Sequence, residues 1–287
     1  MPRRIAAVAL TLSLMVCSRA NATVSVVATV FPIAAVVSEI GGESVTARTL
    51  LPAGANPHTF EPTPEQLRAI TTAALIVRVG AGLDDWLDRL LQTGESAPAV
   101  LAITDGVELL GPADSSHGDP HVWLDPILVR DRIVPRLARA LATADSTRQA
   151  DFDRGAARFA AQLTDLDHEI ASGLQPLSQR GFVAVHPAWR YFARRYGLEE
   201  VAVIEPSPGK EPSAQSIAAI VDRARARHVR AVLTEPQMND RAAVAIAREI
   251  GARVAIVDPL GGPQVPQRDS YPALMRYNLR VFEEALR

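Results

Sequence analysis

Between Ser178 and Gly261 lie four short apolar runs, Phe182-Val183-Ala184-Val185, Val201-Ala202-Val203-Ile204, Val229 to Leu233 and Val254 to Val257. The helix-like stretches Ala188 to Tyr196, Gln215 to Arg227 and Arg241 to Ile250 separate them. Short valine-rich runs alternating with helices predict a parallel sheet connected by crossover helices. The residue that closes each run is His186, Glu205, Glu235 or Asp258, and each is followed by proline. Ligands of open parallel sheets sit beyond the carboxyl ends of the strands, where loops and helix N-termini converge. Four titratable, metal-capable side chains at four successive strand ends therefore mark this edge as the place for chemistry.

The same alternation extends back to Thr23. Val24 to Val30 reads as a strand, Ile33 to Ile40 as the stretch after it, Ser44 to Leu51 as a second strand, and a helix begins near Pro64. Leu75 to Val79 and Ala99 to Ile103 supply two further strands. Between the halves, Phe152, Ala156, Phe159, Leu163, Leu166, Ile170 and Leu174 recur every three or four residues and draw one apolar stripe. Continuous from Thr147 to Leu177, such a helix would reach about 46 Å, enough for a rigid strut. The expected architecture is α/β: an N-terminal lobe over residues 23–146, a linking helix over 147–177 and a C-terminal lobe over 178–287.

Residues 1–22 are read as a cleaved export signal. Arg3 and Arg4 precede the apolar run Ile5 to Val16, and Ala20-Asn21-Ala22 has the small-x-small form of a signal-peptidase site. The run falls short of the roughly 20 residues a membrane span needs. Cys17 raises the alternative of a lipid anchor, but bulky Val16 before it disfavours that processing, so cleavage after Ala22 is expected. Composition narrows the function further. The 287 residues are 48% hydrophobic and 22% charged with a net charge of −2, a globular balance without the positive field that neutralises phosphates. With only 5% aromatic residues, no base-stacking platform is expected either.

The six histidines separate into two groups. His168, on the polar side of the long helix, and His228, after Arg223, Arg225 and Arg227, read as solvated surface residues. His117 lies in Asp114-Ser115-Ser116-His117-Gly118, an exposed loop by composition. His58, His121 and His186 instead sit in loops stiffened by proline. With Asp258 they offer three nitrogens and one oxygen, a set suited to tetrahedral zinc.

These motifs resemble those of the zinc- and manganese-binding solute-binding proteins of bacterial ABC importers, the periplasmic zinc-uptake type. The resemblance runs through Thr29-Val30-Phe31-Pro32, Asn56-Pro57-His58-Thr59-Phe60-Glu61-Pro62 and Val79-Gly80-Ala81-Gly82-Leu83-Asp84-Asp85-Trp86. It continues through His121-Val122-Trp123-Leu124-Asp125-Pro126, Val185-His186-Pro187-Ala188-Trp189-Arg190-Tyr191-Phe192, Thr234-Glu235-Pro236-Gln237 and Asp258-Pro259-Leu260-Gly261. It implies two α/β lobes joined by a backbone helix, with a metal in the cleft between them. By correspondence the ligands are His58 and His121 from the first lobe and His186 and Asp258 from the second. It also implies a periplasmic monomer that captures Zn2+ and delivers it to a permease driven by an ATPase.

Manganese is the alternative cargo. Manganese-selective relatives tend to carry glutamate where this chain has His186, and a third imidazole favours zinc. Glu61 and Glu235 are the expected acceptors for the imidazole N–H groups, and zinc affinity is expected to weaken below about pH 6 as the histidines protonate. Two departures from the family stand out. The loop before His121 has only Asp114, His117 and Asp119 in place of a long histidine-rich insertion, and Pro187 replaces an acidic residue. A secreted zinc hydrolase is the competing class. However, no His-Glu-x-x-His, phosphate loop or Gly-x-Ser-x-Gly elbow occurs, and four protein ligands leave zinc no open position. A surface adhesin, a role assigned to some relatives, would require the anchoring that Val16 disfavours.

Overall fold

The computed structural model describes residues 23–91, 98–111, 118–206 and 211–287. Residues 1–22, read above as an export signal and containing Cys17, and Asp114 and His117 of the short loop, lie outside the described residues. The first lobe opens with strand β1 (Val24–Ala28), helix α1 (Phe31–Gly41) and strand β2 (Val45–Thr49). Helix α2 (Pro64–Thr71), strand β3 (Leu75–Arg78), helix α3 (Trp86–Leu91) and strand β4 (Ala99–Ala102) follow. All pairings are parallel, in the order β2-β1-β3-β4. Central β3 is buried along its whole length, as its Leu-Ile-Val composition requires of a strand covered on both faces.

Helix α4 (Pro126–Leu128) continues through one π-turn, Val129–Ile133, into α5 (Val134–Ala144). The Asp125 carboxylate caps its start by accepting from the backbone of Ile127 and Leu128. The long helix α6 (Gln149–Leu174) has 26 residues, about 39 Å at 1.5 Å each. It is shorter at both ends than periodicity predicts, for local reasons. Ser146–Arg148 form a tighter 3-10 turn capped by Asp145. At the other end Gln175, still helical in its backbone, donates the last helical bond to Ala171, and Pro176 has no N–H to continue the ladder. The apolar stripe is as expected, except that Gly155 takes the buried place while Ala156 is half-buried.

The second lobe repeats the first. Strand β5 (Gly181–Ala184), helix α7 (Arg190–Tyr196), strand β6 (Glu199–Val203) and helix α8 (Ala214–Ala226) lead to strand β7 (Ala231–Thr234), helix α9 (Arg241–Ile250) and strand β8 (Arg253–Ile256). The order is β6-β5-β7-β8, again all parallel. The chain closes with α10 (Tyr271–Leu286), started by a Ser270 cap and Pro272. Its buried positions Tyr271, Leu274, Met275, Asn278, Leu279, Phe282, Ala285 and Leu286 follow helical spacing.

Helix α6 packs on α1 and α5 of the first lobe and on α10 of the second. One apolar cluster therefore runs unbroken from Val24 and Val77 through Phe159 and Leu166 to Trp189 and Phe282. The approach of α6 to α1 is close enough that a Cβ at Gly155 would come within 1.9 Å of the Ile40 carbonyl oxygen. Gly155→Ala should force these helices apart at a cost of about 1–3 kcal/mol, seen as a fall in Tm of roughly 5 °C. An unchanged melting curve would show that this contact is slack.

Candidate metal centre

All four second-lobe residues identified at strand ends lie at the carboxyl edge of the sheet, and all four are buried. The strand order places β5 and β7 side by side at the point where the connections diverge, the crevice where ligands of such sheets bind. His186 follows β5 and Glu235 follows β7. His186 also precedes a 3-10 turn, Pro187–Trp189, that leads into α7.

The first lobe contributes two loops. His58 lies beyond β2, where its backbone N–H donates to the Asn56 side chain at 2.9 Å. The Asn56 amide in turn reaches Met238 of the second lobe. His121 precedes the 3-10 turn Val122–Leu124. Its backbone N–H donates to Asp119 Oδ1 at 3.0 Å, and its Nδ1 lies 2.7 Å from the same oxygen. An ionised carboxylate only accepts, so Nδ1 carries the hydrogen and Nε2 keeps its lone pair.

Three of the four expected ligands come together. One nitrogen from each of His58, His121 and His186 lies within 4.8 Å of the others, and His58 Nε2 and His186 Nε2 are 3.1 Å apart. Tetrahedral zinc with bonds near 2.0–2.1 Å places its ligand nitrogens about 3.3 Å apart, so one pair is already at spacing and the others need a small contraction. The rings border a cavity of about 10 Å³ that Trp123, Glu235, Gln237 and Leu260 help to line, room for one water-sized sphere.

Asp258 stands apart from this group. At 2% exposure its charge requires partners, and it has them. Oδ1 accepts from the backbone N–H groups of Leu260 and Gly261, both at 3.0 Å, and from Gln237 at 3.3 Å. Oδ2 is paired with Arg268 Nη1 at 2.9 Å. Asn278 of α10 clamps the Asp258 backbone on both its N–H and its carbonyl.

Burial, reinforced by the neighbouring histidines, lowers the pKa of His58 to about 2. Burial also lowers that of His121, against the opposing pull of Asp119. The His58 ring is therefore a neutral donor at any ordinary pH, and burial favours the same form for His121. Glu235, one expected acceptor, faces His186 without a hydrogen bond: Oε2 lies 3.4 Å from His186 Nδ1, within ion-pair reach only, and Oε1 accepts from Trp189 Nε1. Glu61 does not serve. It is exposed, and Asp119 takes the acceptor role for the first lobe. The Asp-x-His spacing at 119–121 is the sequence signal for it. His168 and His228 are exposed, as expected. The Val79-to-Trp86 motif proves to be a clamp on its loop: Asp84 accepts from Thr29, Val79, Gly80 and Arg78, and Arg78 also grips Asp85 and Asp88.

Residues 26–285 match the family described as zinc-uptake complex component A, periplasmic. The chain is 26% identical over 293 aligned positions to the zinc-binding lipoprotein AdcA of Streptococcus pneumoniae, covering 95% of this chain and 58% of that longer protein. It is also 26% identical to the high-affinity zinc uptake system protein ZnuA of Bacillus subtilis, over 91% of this chain and 87% of the relative. A crystal structure of ZnuA superposes with a TM-score of 0.83 at 32% identity, covering 93% of this chain and all of that one.

A histidine whose pKa is lower folded than unfolded makes the unfolded chain the better proton acceptor, so stability is full above the unfolded value and erodes below it. The metal-free protein should lose Tm progressively as the pH falls below about 6.5, the unperturbed imidazole value. His58→Gln should flatten that decline. An equally steep decline in the variant would show that the half-buried, neutral His58 is not its source.

Proposed function

The chain belongs to the family of periplasmic zinc-uptake components, the metal-binding solute-binding proteins of ABC importers, and from that membership we propose that it captures zinc in the periplasm and hands it to the importer's permease. The convergence of three imidazole nitrogens from two lobes on one ion-sized cavity carries this reading. His58, His121 and His186 are the nitrogen ligands, and Asp258 closes the coordination as the oxygen ligand. Three nitrogens and one oxygen suit zinc, whereas manganese favours oxygen donors.

The division into lobes over residues 23–146 and 178–287, with 147–177 linking them, belongs to the same proposal. Direct bonds cross from one side to the other. Trp123 Nε1 donates to the Pro259 carbonyl, Tyr271 donates to the Trp123 carbonyl, and Arg195 pairs with Asp125. Tyr191 of α7 holds both ends of the short loop, donating to the Asp119 carbonyl and accepting from Leu110 N–H. Capture on such a frame proceeds by adjustment of the His58 and His121 loops and small lobe tilts, not by wide closure. The His58 imidazole is already neutral, so proton competition for it begins at lower pH than free histidine would imply.

The family's members are transport components, which supports a role without catalysis, as a monomer docking on the permease and its ATPase. The described residues contain no helix long and apolar enough to cross a membrane.

Zinc at a thousandfold excess over its Kd should stabilise the fold by about 4 kcal/mol, raising Tm by several degrees, and a chelator should reverse the rise. His186→Ala should weaken zinc binding at least a hundredfold in chelator competition while leaving the metal-free melt close to the parent. Parent-like affinity in this variant would refute the ligand assignment.

A further inference from the structure

The feature that capture does not explain is the cation seated on the oxygen ligand. Two backbone N–H groups at 3.0 Å occupy the lone pairs of Asp258 Oδ1, with Gln237 beside them. Oδ2 is thus the oxygen with room for a metal, and Oδ2 is the one that Arg268 holds. The pairing is built, not casual. Arg268 lies ten positions after Asp258, and the chain must fold back sharply to bring it round. Gly261 has φ +64° and no space for a Cβ, which would come within 2.5 Å of the Arg268 carbonyl oxygen. Gln267 adopts φ +63°, in the left-handed region. The Arg268 carbonyl accepts from Gly262 N–H and its own N–H donates to Val265, which closes the loop. The guanidinium lies over the Tyr277 ring of α10, 4.6 Å from its centroid. Its Nε is buried without a hydrogen-bond partner, so Asp258 is its one charged anchor among the described contacts.

A guanidinium this fixed does not withdraw freely when metal arrives. A divalent ion on Oδ2 then shares that oxygen with a positive charge about 3 Å away, and the carboxylate gives up part of its donor strength. Zinc keeps three imidazoles whatever the carboxylate does. Manganese, which depends on hard oxygen donors, loses more. We propose that Arg268 is a specificity-determining residue: by holding Oδ2 of Asp258 it weakens the site's one oxygen donor, which excludes manganese and keeps zinc releasable. This rests on the assignment of Asp258 as fourth ligand.

The test measures zinc and manganese affinities by chelator competition on the full chain purified without its export signal. In Arg268→Gln, zinc should bind about tenfold more tightly and manganese should gain by a larger factor, so that the preference for zinc narrows. Arg268→Met, which keeps an apolar stem against the ring, carries the same expectation, and Arg268→Lys should stay near the parent. In an Asp258→Asn background the same Arg268→Gln change should leave zinc affinity within about twofold, because the coupling runs through that carboxylate. Unchanged or weaker zinc binding in the neutral variants would overturn the proposal, as would equal gains for both metals. So would loss of cooperative folding in both, which would make Arg268 a structural buttress. A parent that binds no zinc would instead refute the proposed function, and a parent whose zinc affinity Asp258→Asn leaves untouched would remove Asp258 from the ligand set.

Discussion

One apolar core shared by both lobes holds the strand-end loops at a fixed separation, and the histidine cluster depends on it. The two sheets lie far apart along the chain, yet α6 carries the side chains that bury α1 on one side and α10 on the other. If each lobe had only a core of its own, such as those around Ile76 and around Val232, His58 and His121 would meet His186 only as often as a hinge allowed. Because Phe159, Leu166 and Ile170 belong to the same cluster as Val26 and Phe282, moving one lobe against the other would open apolar surface at about 25 cal/mol per Å². Even a few hundred Å² would outweigh most of what a single ion pair across the cleft could return.

The polar interior of the cleft is organised around that fixed frame. Three clustered imidazoles, two buried and one half-buried, cannot all be charged a few ångströms apart, and desolvation favours the neutral form of His58 and His121. Asp119 then determines which nitrogen of His121 faces inward, while Glu235 stands behind His186. On the second side, the carboxylate that would complete the set is held by Arg268 and by two backbone N–H groups. The site thus has a nitrogen half that is ready and an oxygen half that is already engaged.

Most of the architecture is readable from sequence because it depends on local pattern. Valine-rich runs place eight parallel strands nearly where they lie, and the proline-flanked residues at four of their ends are all buried at the sheet edge. Helix ends are less readable: apolar spacing alone carries α6 past Pro176, though a proline two residues beyond Leu174 sets its limit. The final helix escapes the strand-and-helix alternation as a separate element despite its Ser-Tyr-Pro start and an apolar repeat from Tyr271 to Leu286, and with it goes Asn278 and its hold on Asp258. The histidines can be nominated because residue type and motif point to metal. Their acceptors can be only partly guessed, since Glu61 and Asp119 are equally plausible by composition and differ only in where a loop turns. Arg268 is beyond reach for the same reason, because its role exists only once Gly261 and Gln267 bend the chain back.

The contrast between the histidines and Arg268 separates two kinds of information in the molecule. The proposed ligand identity is carried by side-chain chemistry in short motifs, so a reading of the sequence can nominate it. The strength of each ligand is carried by what touches it, and the contacts of Asp258 are set by a loop of this chain's own sequence. Two proteins with the same three histidines and one aspartate can therefore hold the same ion with different grip. Under the proposed role, a carrier that must both capture and surrender its metal is under pressure at that second level. Stronger nitrogen donors would make release slower, and a looser frame would make capture slower by requiring the cluster to assemble. Adjusting the charge beside a single oxygen changes affinity without disturbing either the core or the histidines, which makes it the least costly place in this fold for such tuning to occur.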